Sequence, residues 1–296
     1  MACPSYSIST TFIATLTTVC CISGILAVVE NLAVLLAVRN IHSLRSTARY
    51  FMASLAAAEL LSGFTGNLLY ALNHSRNESS FIKTESAMVF FTTTSVTFTL
   101  SNVALDRYIA MTSPLHYHSR MTSRRSLILI MVSWILALLG ASMAYMVAEE
   151  TLIQIWICRA IISVLIPFCI IAFCYFRIYH ATKNSFPVHD IVTEAQQIAE
   201  NKRQRKTAKT FGIITGLFIV LFIPSFIFNC IVLFAGSPDI NEVKCNSFHR
   251  KIWIFMAVIS NFSAICDPWV YAIRTRDIRM ALKEQFQSMC RVLHLS

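Results

Sequence analysis

Charge is scarce in this sequence. Asp, Glu, Lys and Arg make up 14% of its 296 residues, where a soluble domain carries about a quarter. With 56% of residues hydrophobic, the solvent for most of the surface is expected to be lipid. Glycine and proline are few, 7 of each beside 21 Phe. The short alternating segments of a membrane barrel are missing as well, so long helices are the expected elements. The 10 Cys show no Cys-x-x-Cys or other metal spacing, and those inside apolar runs read as small packing groups. All 8 His, at positions 42, 74, 116, 118, 180, 189, 249 and 294, lie between apolar runs or at their ends. That excludes a metal centre inside the helices, and with it a seven-helix zinc hydrolase. No nucleophile motif accompanies the few internal acids, so no catalytic residue is assigned and the chain is not expected to be an enzyme. No internal symmetry of the kind that transporter halves carry is present.

What is present is a series of long apolar runs. Each crossing of a bilayer takes about 20 apolar residues, and seven such segments can be drawn, at about 12–38, 47–72, 82–111, 126–147, 155–179, 209–234 and 252–273. The expected fold class is an all-α membrane protein, a seven-transmembrane helix bundle forming one domain over 1–296. The first run is too long for a cleaved signal peptide. Span 3 is the most polar, crowded with Thr92, Thr93, Thr94, Ser95, Thr97, Thr99 and Ser101. Hydroxyls of this kind bond back to their own helix or across to a neighbour, which predicts a central position.

The net charge of +10 would suggest nucleic acid in a soluble protein. Here the basic residues sit between apolar runs, so no nucleic-acid partner is expected and the positive-inside rule applies. With the N-terminus outside, 19 Lys and Arg fall on the inner side and 6 on the outer. The expectation is a multi-pass protein of the plasma membrane with an extracellular N-terminus (tail 1–11) and a cytoplasmic C-terminus. Two glycosylation acceptors, Asn73 and Asn77, lie in a loop that this topology puts outside. The outer segments are too short to fold alone, so a ligand must bind among the helices or reach them through the lipid. The longest loop, about 182–208, is inside, and its second half reads as a helix running into span 6. After span 7, residues 275–290 put Ile278, Ala281, Leu282, Gln285, Phe286 and Met289 on one face and Arg276, Arg279 and Lys283 on the other. That pattern predicts an amphipathic helix on the inner leaflet, with membrane lipids as partners. Cys290 at its end is either a palmitoylation site or an unmodified thiol.

Three acids stand well inside spans: Glu30, Glu59 and Asp267. A charge there costs roughly 2.5–3.5 kcal/mol on insertion scales and marks function by default. Asn31, Glu59 and Asp267 fall at similar depth in spans 1, 2 and 7, so one buried cluster is expected. It reads as a packing network, as a polar switch, or as a cation site. Asp106-Arg107-Tyr108 closes span 3 at the inner face.

These residues together resemble the rhodopsin-like (class A) G-protein-coupled receptors, over the whole chain. Asn31 matches the span 1 Asn of that family. Leu55-Ala56-Ala57-Ala58-Glu59 resembles the span 2 Leu-Ala-x-x-Asp motif with Glu for Asp, and Asp106-Arg107-Tyr108 is the span 3 motif unaltered. Trp134, Pro167 and Tyr175 match spans 4 and 5. Phe218, Phe222 and Pro224 fall on the Phe-x-x-x-Trp-x-Pro pattern of span 6, with Phe222 for Trp. Asp267-Pro268-x-x-Tyr271 is the span 7 motif in its Asp-starting variant. The usual Cys at the outer end of span 3 is replaced by Ile82. That absence, and the Glu30-Asn31 pair, resemble the melanocortin, cannabinoid and lysophospholipid branch, while 54–59, 208–210 and Asn229-Cys230 resemble adenosine receptors.

The resemblance implies coupling to a heterotrimeric G protein through Asp106, Arg107 and Tyr108, with Tyr175 and Tyr271 moving in when the base of span 6 moves out. Phe218, Phe222 and Pro224 would form the switch of span 6. It implies no cofactor beyond a sodium ion at Asn31, Glu59, Asp267 and Pro268, with Glu59 in the family's Asp position. It implies a small-molecule ligand, adenosine-like or lipid-like, near Val89, Phe90, Thr93, Phe226, Asn229, Ser260 and Asn261. For the aromatics among these, core packing is the competing reading. Cys230 and Cys245 either bridge the last outer loop or stay free. The acid that holds the span 3 Arg from the base of span 6 in many relatives is Gln204 here, so high basal signalling is expected. The alternatives are a ligand-free or constitutively active receptor-like protein, or a membrane transporter.

Overall fold

The computed structural model describes residues 10–40, 46–67, 79–113, 116–146, 158–183, 194–234 and 247–292. Among the described residues every long element is a helix. We number them α1 (Thr10–Asn40), α2 (Ser46–Ser62), α3 (Ser79–Thr112), α4 (Ser123–Met146), α5 (Ile166–Lys183), α6 (Glu194–Phe234), α7 (Ser247–Arg274) and α8 (Arg276–Val292). One turn of helix, Tyr117–Arg120, joins α3 to α4.

Five stretches are long and apolar enough to cross a membrane: Ala14–Arg39, Ala87–Thr112, Ser123–Met143, Cys158–Ala181 and Ala208–Phe228. Helices α2 and α7 hold the other two expected spans, α2 with 17 α-helical residues before the turn at Gly63–Asn67. Glu59, Ser263 and Asp267 are buried inside the bundle, so they face protein rather than lipid.

Exposed apolar side chains cover the outside of the helices, including Ile25 and Val29 on α1, Met131 and Leu138 on α4, Phe176 on α5 and Val220 on α6. Patches of this extent need an apolar partner, and lipid supplies one. The polar helix α3 lies at the centre, with 61% of its membrane window buried against 22% for α4. Its hydroxyls are used as the sequence suggests. Ser95, Thr97 and Ser101 bond to carbonyls of their own helix, and Ser101 Oγ also donates to the Pro167 carbonyl at 3.2 Å. Ser54 and Thr99 bond at 3.2 Å, Trp134 Nε1 donates to Ser54 Oγ at 3.0 Å, and Asn102 Nδ2 donates to Ser133 Oγ at 2.9 Å. Helices α2, α3 and α4 are thus tied by side chains that are satisfied without water.

Two helices carry a wide turn. Gly63–Asn67 ends α2 in π-helical form, and Gly63 sits so close to α1 that an added β-carbon would lie 2.8 Å from Ala27 Cβ. Ile161–Leu165 precedes α5 in the same form, with Ile166 N–H donating five residues back to Ile161. Pro167 follows, and its ring would crowd a normal α turn, so widening the turn relieves the clash. Helix α6 runs unbroken from Glu194 to Phe234 with Pro224 inside it, as expected for a loop helix continuing into a span. Helix α8 docks on the bundle through Ile278, which is fully buried, and leaves Met280 and Phe286 exposed beside its basic face.

Candidate functional site

Two polar groups lie in the apolar interior. The first closes the end of α3. Arg107 and Asp106 are 2% and 1% exposed and form an ion pair through Nη2, with Nε donating at 3.0 Å as well. Tyr117, on the single turn after α3, donates to the other Asp106 oxygen at 2.7 Å and meets Thr47 Oγ1 of α2 at 2.9 Å. Burial first, and then the Asp106 carboxylate, raise the Tyr117 phenol above its ordinary pKa, so it stays a donor. The Arg107 guanidinium lies 5.9 Å from the Phe211 ring centre, and Phe211 meets Tyr271 edge-on at 6.1 Å. Asp106, Arg107, Phe211 and Tyr271 therefore lock α3, α6 and α7 together at this end. Tyr175 stands beside Gly212 of α6, where a β-carbon would lie 3.4 Å from its ring; its hydroxyl has no hydrogen bond. Tyr108 is half-buried and packs edge-on against Phe173 at 5.9 Å.

The second group lies deeper. Asn31 Nδ2 donates to Ala27 of its own helix at 3.0 Å and to Ala264 of α7 at 2.8 Å. Glu59 and Asp267 are 1% and 0% exposed and face each other as interacting carboxyls, with the Tyr271 ring beside them. None of their four oxygens meets a donor, and Asn31 Oδ1 and the Tyr271 hydroxyl are also buried without one. Pro268 is buried next to Asp267. Six orphaned oxygens, four of them from two carboxyls, make the donor set of a small hard cation, so these residues fit a sodium ion. Helix α6 also carries an aromatic column: Phe218 and Phe222 stack at 5.2 Å, and Phe168 of α5 meets Phe218 edge-on at 6.4 Å. Pro224 lies two residues further along the helix.

The family model for the seven-transmembrane receptors of the rhodopsin family matches residues 30–155 and 146–271. The chain belongs to that family. The receptor is 26% identical to melanocortin receptor 3 of mouse over 274 residues, covering 88% of this chain and 82% of the relative. It is 25% identical to human adenosine receptor A2a, covering 90% and 70% respectively, and 26% identical to mouse melanocortin receptor 5, covering 91% and 85%. These relatives are receptors and not enzymes, and the receptor is accordingly a multi-pass membrane protein that signals through G proteins. Near-equal likeness to two receptor groups matches the divided resemblance seen in its motifs.

The receptor's remaining expected site residues are scattered in their fate. Val89 is exposed, while Phe90, Thr93 and Phe226 are half-buried. Asn229, Ser260 and Asn261 lie on described helices, but their side chains fall outside the described residues, as does the Gln204 side chain. Asn73, Asn77 and Cys245 lie outside the described residues altogether. Cys230 and Cys290 are half-buried. Three roles went unread in the sequence. Tyr117 has no assignment from the sequence, yet it holds Asp106; a tyrosine eleven residues past an Asp, at the start of a single helical turn, is the available signal. Phe211 was missed because its role depends on the packing of α6 against α3. Glu30, read in the sequence only as an internal acid beside Asn31, accepts from Trp269 Nε1 at 3.1 Å across α1 and α7.

Proposed function

We propose that this receptor lies in the plasma membrane with its N-terminus outside, senses a small molecule in the outer half of the bundle, and activates a heterotrimeric G protein at the Arg107 end. The observation that carries the reading is the buried clamp of Asp106, Arg107, Tyr117 and Phe211 at the end of α3. Polar groups that could reach water are instead folded into a dry interface between α3, α6 and α7. Such an arrangement has an alternative packing in which α6 moves out, Phe211 leaves the guanidinium, and Arg107 faces a cavity. Tyr175 and Tyr271, whose hydroxyls lack partners here, are the groups free to follow. A ligand that prefers the open packing shifts the balance by its differential affinity for the two states. The Phe218–Phe222 stack below Pro224 is the element between the two ends. Lys202, Arg203, Arg205, Lys206 and Lys209 cluster at the base of the sixth span in the sequence, which favours anionic lipid and supports a cytoplasmic position for that end. The names of the relatives offer adenosine and melanocortin peptides as ligand classes to test beside lysolipids. Cells expressing the receptor and challenged with the three classes should raise a second messenger with one of them; silence to all, together with no basal signal, counts against the reading.

Two further results are expected. Gln204 stands where many relatives carry the acid that holds the span 3 Arg from the base of span 6, so a weaker hold on Arg107 from that helix is expected. Basal second messenger should therefore exceed that of mock-transfected cells, and a level equal to mock would count against this account of the clamp. Tyr117→Phe removes the phenol donor to Asp106, an interaction with a charged group worth roughly 1.5–3 kcal/mol. Basal signalling is expected to rise several-fold at equal surface expression. An unchanged level would mean that Tyr117 does not hold the resting state.

A further inference from the structure

Arg159 is used by neither group described above. It lies two turns before Pro167 at the start of the fifth span, about 25 Å along α3 from the clamp at 1.5 Å per residue, counted from Phe90, which it touches. The side chain is 8% exposed, and its guanidinium carbon sits 4.3 Å from the Phe90 ring centre. Nε and Nη2 are buried and meet no acceptor. The ring attracts the positive charge from one face, but it cannot accept the in-plane N–H groups that form the edge of the fork. Phe90 is itself held from behind, because Gly140 of α4 leaves it room that a β-carbon would fill. The Arg159 backbone carbonyl is already taken by Ser163 Oγ at 2.6 Å. A charged group at this depth ordinarily pairs, or extends to the bilayer surface. Arg159 does neither: it is folded against a fixed plate with its hydrogen-bonding edge unfilled.

We infer that Arg159 is the anion-binding residue of the ligand site, and that the ligand is an amphiphile with a carboxylate or phosphate head on an apolar body. The inference rests on the reading that the ligand binds in the outer half. A planar guanidinium presents two parallel N–H bonds to a carboxylate or phosphate. Phe90 supplies an apolar wall for the body, and the neighbouring turn presents Ile161, Ile162 and Leu165 to the lipid side, where such a molecule would arrive. A basic peptide would meet a like charge here, and a neutral nucleoside would leave it unpaired.

The test uses the purified full chain in nanodiscs of neutral phosphatidylcholine. Oleate and oleoyl lysophosphatidate are added, with monooleoylglycerol and lysophosphatidylcholine as uncharged and zwitterionic controls. The readout is the thermal midpoint. Both anions should raise it in the wild type and the controls should not. Arg159→Met should lose the response, yet its ligand-free midpoint should lie above that of the wild type, because an unpaired buried charge has been removed; a purely structural arginine would lower it. Arg159→Lys should respond about tenfold more weakly, since an ammonium cannot bond through two parallel N–H groups. A second disc containing phosphatidylglycerol separates the sources: a raised midpoint without added anion assigns the occupant to the bilayer, and no rise assigns it to a free amphiphile. An equal anion response in Arg159→Met, or no response of the wild type to either anion in either disc, overturns the inference. Coupling is read separately, as ligand-free nucleotide exchange by wild type against Arg107→Ala, so a failed anion response with intact exchange sinks the anion site alone.

Discussion

Arg107→Ala is expected to reach the cell surface and to lose G-protein activation by about 100-fold or more, the equivalent of roughly 2.7 kcal/mol. The argument is a balance of two costs. Removing one partner of a buried ion pair strands the other charge, commonly at 3–5 kcal/mol. Here Asp106 keeps the Tyr117 hydrogen bond at 2.7 Å, so the cost to folding falls well below that range and the protein should survive quality control. Function has no such substitute. Arg107 is the cation that the end of α3 places against Phe211 and would present once α6 moves, and no other Lys or Arg stands between Lys83 and Arg120. The measurement pairs surface labelling with nucleotide exchange on purified G protein. Normal surface signal with retained exchange would remove Arg107 from the coupling role, whereas loss of both would report misfolding. Arg107→Lys helps to tell these apart: it keeps the charge but not the bidentate geometry, so partial exchange is expected.

Much of this architecture was legible because membrane helices are long and their apolar runs are read by length alone. The centrality of α3 followed from its hydroxyls, and the run of the loop helix into α6 followed from the lack of Gly or Pro between Glu194 and Lys209. The polar cluster was legible too, since Asn31, Glu59 and Asp267 had no lipid-compatible alternative to meeting one another. What escaped depended on close approach or on small turns. The end of α2 turns wide at Gly63, where the backbone packs on Ala27, so the regular helix is shorter than its apolar run. Tyr117 gains its role from one turn of helix that places it under Asp106, and no periodicity in a loop announces that. Arg159 looked like one more outer charge in the topology count. It is buried against Phe90, for which Gly140 leaves space, and that packing between distant residues is not written in the local sequence. Glu30 was legible as an anomaly but not as a contact, because its partner Trp269 lies 239 residues away.

Exchanging choline for sodium at constant ionic strength is expected to lower basal nucleotide exchange several-fold, and Glu59→Gln combined with Asp267→Asn is expected to abolish that dependence. The two carboxyls are fully buried, and none of their oxygens meets a donor. Two like charges about 4 Å apart repel by about 4 kcal/mol even at an effective dielectric of 20. The pair must therefore share protons or share a cation. Asn31, Glu59 and Asp267 would hold a sodium ion, which supplies one positive charge between the carboxylates when bound. Asn31 is already fixed for this by its bond to Ala264 at 2.8 Å, which leaves Oδ1 buried without a partner. Holding α1, α2 and α7 to one centre favours the packing in which Tyr271 stays against Phe211 and the clamp stays closed. A coupling of this kind is typically 1–3 kcal/mol, or about 5- to 150-fold. The double amide variant preserves shape and hydrogen-bonding capacity while removing both charges. It should fold with little loss, since a repulsive pair has been replaced by groups that can bond each other. Running wild type and variant at two pH values in choline separates the alternatives. A response to sodium alone assigns the cluster to a cation, a response to protons alone assigns it to a shared-proton pair, and a sodium response that survives in the double variant would move the ion elsewhere in the bundle.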